Sequence, residues 1–254
     1  GTGSVTVLGG APALKIGDTG KNIDIGVFGT GGNNFGLIVR GNVTSNGLFD
    51  DVGSTAIQIG ATGGGTTTIE GGIRALGTIS ASSHEADATG IHILAGGDVA
   101  NLQMEGTVNA TAVSAGTDQA TGILIDAGAN VSHFANIGTF SIVGGGNGAS
   151  AYGVQDKSGT LNNVLNKATI STKVRPSETG GVVTGRAVAF DLSANTSGIT
   201  FSQVQSTDLP DSRPLIAGDI LLGSGDDTVQ FLAGTVLGAL DFNAGGGSLT
   251  IDNA

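Results

Sequence analysis

Apolar and polar residues alternate along most of this chain in short runs, the period-2 pattern of strands with one buried face. In TGIHIL, alternation turns Ile91 and Ile93 inward and His92 outward. The pattern also returns at a fixed distance. From Thr89, TGIHILAGGDVANLQMEGT aligns without gaps, at an offset of 32, onto TGILIDAGANVSHFANIGT from Thr121, with nine of 19 positions identical. An earlier copy starts at TAIQIGATGG (Thr55) and reaches its own GTIS at Gly77; a looser one reads YGVQDKSGTLNNVLNKATIS from Tyr152. Extra residues fall in SSHEADA, SAGTDQA and GGNGASA, which fits a coil of short strands whose loops absorb insertions. Strands are predicted near 90–94, 99–105 and 107–114, with Gly-rich corners between them. Like residues of successive copies then stack, Ile91 on Ile123 and Val99 on Val131.

A shorter repeat closes the chain. GDILLGSGDDTVQF from Gly218 aligns at an offset of 20 onto GALDFNAGGGSLTI from Gly238, placing Ile220 over Leu240, Val229 over Leu249 and Phe231 over Ile251. The whole chain, 1–254, reads as a single β-helical domain: N-terminal rungs over 1–54, rungs of the longer repeat over 55–215, and rungs of the 20-residue repeat over 216–254. At roughly 25 residues per rung and ~4.8 Å between rungs, this predicts about ten rungs and a rod on the order of 50 Å long. TKVRPSETGGVVTG (172–185) and TDLPDSRPL (207–215) hold three of the four prolines and are expected to leave the coil as loops.

Composition sharpens this picture. Gly makes up 47 of 254 residues, which disfavours long helices, since each interior Gly costs roughly 1 kcal/mol relative to Ala. Charged residues are only 12%, too few for a chain kept disordered by charge, and no Gly-X-Y period points to collagen. An all-β fold follows, its core built from ladders of small apolar residues in place of large rings. The net charge of −11, with basic residues scattered singly, argues against nucleic acid and anionic membranes as partners. Cysteine is absent, and no apolar run reaches the ~18 residues of a membrane span.

Few residues offer chemistry. GSGDDTV (223–229) approaches the nonapeptide of calcium-binding β-rolls, which makes Asp226 and Asp227 the calcium candidates. Leu222 stands where that motif begins with Gly, and the next copy has Asn243 and Gly247 at motif positions, so a plain rung corner is the favoured reading. His84, Glu85 and Asp87 fall in one insertion and read as a polar surface loop. His92 and His133, 41 residues apart, miss the repeat offset and are not expected to stack. Asp50–Asp51 and Asp226–Asp227 are the acidic pairs a glycan-cleaving enzyme could use, but neighbours in a strand face opposite ways. Asn42, Asn109, Asn130 and Asn195 head Asn-x-Ser/Thr sequons that suit ordinary ladder positions. TTTIE at Thr66 reads as a stacked Thr row on an outer strand.

The GI-x-I, G-x-x-V and GT alternation, YGVQDKSGTLNNVLNKATIS and GDILLGSGDDTVQFLAGTVLGALDFNAGGGSLTIDN resemble the β-helical passenger regions of autotransporters, the type V secreted proteins of Gram-negative bacteria. That resemblance implies a right-handed parallel β-helix displayed outside the outer membrane. No catalytic motif of the family is visible, so the expectation is a non-catalytic, cofactor-free surface or secreted module for display, adhesion or surface assembly. Its expected partners are other surface proteins, glycans, or further copies meeting at the solenoid ends. The alternatives are a secreted carbohydrate-active β-helix enzyme and a calcium-dependent surface-layer protein. The reading frame is expected to continue past Ala254 into roughly 250–300 residues of amphipathic strands forming an outer-membrane barrel, a length taken from the family's habit.

Overall fold

Each sequence repeat lays down one rung of a parallel β-solenoid in the computed structural model, which describes residues 3–28, 34–207 and 213–252. Strands Ala88–Ile93, Asn101–Met104 and Thr107–Val113 of one rung pair in parallel with Gln119–Ile125, His133–Asn136 and Thr139–Gly145 of the next. The registers are those of the alignment: Ile91 lies on Ile123, Leu102 on Phe134 and Val108 on Phe140. The shorter repeat behaves alike, Ile220 pairing with Leu240 and Phe231 with Ile251.

Carried around the coil, this pairing builds three eight-stranded parallel sheets. The first runs from Ser4–Leu8 to Thr235–Leu237, the second from Leu14–Ile16 to Leu240–Asp241, the third from Leu37–Val39 to Gly247–Ile251. The described residues contain no helix, and therefore none long and apolar enough to cross a membrane.

Three expectations are corrected. The sheets are eight strands deep, not ten. Thr78, Thr107, Thr139 and Thr169 share one column, so a rung here consumes about 30 residues, and eight strands at ~4.8 Å span about 35 Å. The strand predicted over 99–105 is shorter, starting only at Asn101 after a corner. Gly97–Asp98 joins Ile23–Ile25 and Thr67–Ile69 in a separate three-stranded sheet, while Asn101–Met104 belongs to the third large sheet. Val99 is fully buried at the corner between them, and its N–H donates to the Asn130 carbonyl at 2.9 Å. Finally, Thr68 is flanked by Asp24 and Asp98, so TTTIE forms no Thr row.

The loops are only partly as expected. Thr169–Arg175 is still strand, so the excursion begins at Pro176. It folds back on its neighbour, Ser177 N–H donating to Asn147 Oδ1 at 3.1 Å. Of the second loop, 208–212 lie outside the described residues, and Leu215–Ala217 is strand again.

Inward columns form the core. Ile57, Ile91, Ile123 and Val154 stack in one column and are all fully buried. Large rings contribute more than composition suggested. Phe134 packs edge-to-face on Phe140 and Phe190, Phe190 on Phe201, and Phe201 on Phe231, with centroids 5.0–6.0 Å apart. One interior column is polar: Asn136 Nδ2 donates to Asn166 Oδ1 at 2.8 Å, and Asn166 Nδ2 donates to Gln203 Oε1 at 2.9 Å. Gln203 Nε2 ends that ladder on the Ala233 carbonyl.

Candidate functional site

The GSGDDTV corner sends its two carboxylates in opposite directions. Asp226 is exposed, whereas Asp227 opens strand Asp227–Phe231 and points inward, 1% exposed. Asp227 Oδ1 accepts the Ile199 N–H at 2.9 Å, and Oδ2 is buried without a partner. Burial holds the Asp227 carboxyl above its ordinary value; the Ile199 hydrogen bond pulls it down, and the charge of Asp226 adds to the rise. The geometry gives Asp227 a structural task, capping the N–H of Ile199 just before strand Thr200–Gln203 of the preceding rung. Among the described residues no three His, Asp or Glu side chains are grouped to hold a metal ion.

The SSHEADA insertion is likewise dispersed. His84 Nδ1 pairs with Asp50 Oδ1 at 2.8 Å, and Glu85 accepts the Ala115 N–H. Asp87 Oδ1 accepts the Gln119 N–H at 2.7 Å. These bonds tie successive turns together at one corner. His92 and His133 do not stack, pairing in register with Leu124 and Asn101. Of the sequon residues, Asn195 is buried and donates to the Leu161 carbonyl, while Asn130 donates to Asp98.

A groove of about 440 Å³ lies on the second sheet near its junction with the first. Its walls come from three rungs. Asp51, Val52 and Gly53 belong to the turn between Asn42–Asp50 and Ser54–Ile59, and Asp87 to the matching turn one rung on. Thr55, Thr89, His92 and Leu124 come from the stacked strands themselves. Asp51 adopts φ 63°, a left-handed backbone that lets the chain double back after the strand. His92 Nε2 pairs with Asp126 Oδ2 at 2.9 Å, which fixes the ring and leaves Nδ1 without a partner among the described residues. Asp51 and Asp87 form no ion pair with a described residue.

Sequence reading placed these residues in separate contexts and did not bring them together. The signal was present in the repeat: Thr55 aligns with Thr89, so the residues just before each, 51–53 and 87, fall at the same corner. Compared with protein-family models, curated proteins and solved structures, the chain matches none.

Proposed function

We propose that this chain is a structural, non-catalytic module of a cell-surface or secreted protein, a rod-like passenger segment of the autotransporter kind that serves display, adhesion or surface assembly. The observation that carries the reading is the unbroken stacking of rungs from Ser4–Leu8 to Gly247–Ile251. In such a stack each rung touches only its neighbours, so length and stiffness grow by repetition while the outer faces stay available. Side-chain polar groups serve the same end, as in the internal Asn136–Asn166–Gln203 ladder and the Arg74–Glu105 pair across rungs at 2.6 Å. A carbohydrate-cleaving reading has less support, because Asp50 is engaged by His84 while Asp227 is turned into the core away from Asp226. Calcium dependence has less support for the same reason at Asp227.

The test is protease treatment of intact source cells, followed by immunodetection of this segment. The reading expects cleavage without lysis, or recovery of the segment from the medium. Protection until the cells are broken would overturn it, and release of reducing ends from a polysaccharide by the purified chain would overturn its non-catalytic part.

A further inference from the structure

We infer that the groove over Thr55 and Thr89 binds a neutral sugar, presented by a glycan on another surface. This deepens the adhesive reading above and rests on it for where the ligand is met. The volume, about 440 Å³, falls within the range of small-molecule sites, and its polar groups converge from three rungs over the apolar side chains of Val52 and Leu124. The decisive group is Thr89. The residue is 8% exposed, its hydroxyl makes no hydrogen bond with another described residue, and it forms part of the groove wall. Ser158 and Ser193 are paired with Asp156 and Asp191, whereas the buried hydroxyls of Ser45 and of Ser54, the latter at this same corner, lack a partner as well.

The chemistry of the lining selects the ligand. Asp51 and Asp87 offer carboxylate acceptors, which excludes phosphate, sulfate and acidic sugars by repulsion. An ammonium group would suit the carboxylates and could donate to the Thr oxygens, but it has three donors and no acceptor, leaving the hydroxyl protons of Thr55 and Thr89 and any N–H of His92 unanswered. A sugar hydroxyl both donates and accepts. It can donate to Asp51 and to the free oxygen of Asp87 in charge-assisted bonds, while accepting from Thr89. The lining holds no Phe, Tyr or Trp ring on which a sugar face could stack. Affinity per site is therefore expected near ~1 mM.

The test is amide NMR of the whole chain titrated separately with the methyl glycosides of glucose, galactose, mannose and N-acetylglucosamine, and with methylammonium, calcium and inorganic phosphate. The inference expects at least one glycoside to shift Val52, Gly53, Thr55, Thr89 and His92 saturably. Asp51→Asn, which keeps a residue tolerant of positive φ, and Thr89→Val should each weaken binding about tenfold at unchanged melting temperature. Should either variant melt early, Thr55→Val supplies the same comparison. No saturable shift by any glycoside up to about 50 mM overturns the inference, as does a response at these residues to methylammonium, calcium or phosphate alone. Failure here leaves surface exposure on intact cells untouched, and protection in that experiment leaves this titration untouched.

Discussion

Stacking makes single residues answerable to the rung beside them. A Cβ on Gly106 would lie 2.0 Å from the Gly77 carbonyl oxygen, and one on Gly138 would lie 1.9 Å from that of Gly106. Backbone cannot yield there without opening the ladder. Gly106→Ala is therefore expected to cost about 3 kcal/mol in denaturant unfolding, while Gly116→Ala, whose nearest neighbour is Ser114 Oγ at 3.5 Å, should be near neutral. Two carboxyls give opposite pH signatures. Burial raises Asp227, so its contribution to stability is present below the unfolded Asp value near ~4 and is lost as pH rises through the folded value. Asp227→Asn should accordingly raise the melting temperature at neutral pH and confer no gain at about pH 3. A melting temperature at pH 7 no higher than the parent's would contradict that account. For Glu105, the Arg74 hydrogen bond outweighs desolvation and lowers the value. Its contribution is present above the unfolded Glu value near ~4.3 and fades as pH falls through the folded one.

At the scale of elements, the interior amide ladder couples strands that otherwise meet only through backbone and packing. Asn166 both accepts from Asn136 and donates to Gln203, and all three are fully buried. Asn166→Ala leaves a donor and an acceptor unanswered in the core, an expected loss of about 2–4 kcal/mol; Asn136→Ala, at the end of the ladder, should cost less. Equal losses at both positions would mean that the ladder adds nothing beyond packing. What the sequence disclosed at this scale follows from symmetry. Where a strand repeats with its residues in place, as from Thr89 and Thr121, the alignment is the register, and strand, face and stacking partner were all legible. The corner after Val99 was missed although the alternation changes phase there, buried Val99 being followed by buried Leu102 three residues on. The Phe134 to Phe231 chain was hidden for a different reason. Phe140 and Phe190 come from the first and second sheets and Phe134, Phe201 and Phe231 from the third, so most of these meetings depend on the width of the rung, which no single segment encodes.

For the molecule as a whole, rung count depended on the average length of corners, and the excursion at 176–185 together with the wide N-terminal rungs consumed chain that a uniform 25-residue period would have spent on height. The groove was half legible. Its residues lie just before aligned strands, yet that corner becomes a site only once three rungs stack and Asp51, Asp87 and His92 share one wall. Everything proposed about function rests on that stacking, and spin labels measure it directly because the chain has no cysteine. Thr6, Thr44, Ser80, Asn109, Ser141 and Ser171 form one outward column of the first sheet. With one nitroxide on Thr6→Cys and the second on Asn109→Cys, Ser141→Cys or Ser171→Cys, pulsed dipolar spectroscopy should return narrow distances that climb by ~4.8 Å per rung, near 14, 19 and 24 Å. Broad distributions, or distances that do not rise in that order, would contradict the solenoid and the readings built on it.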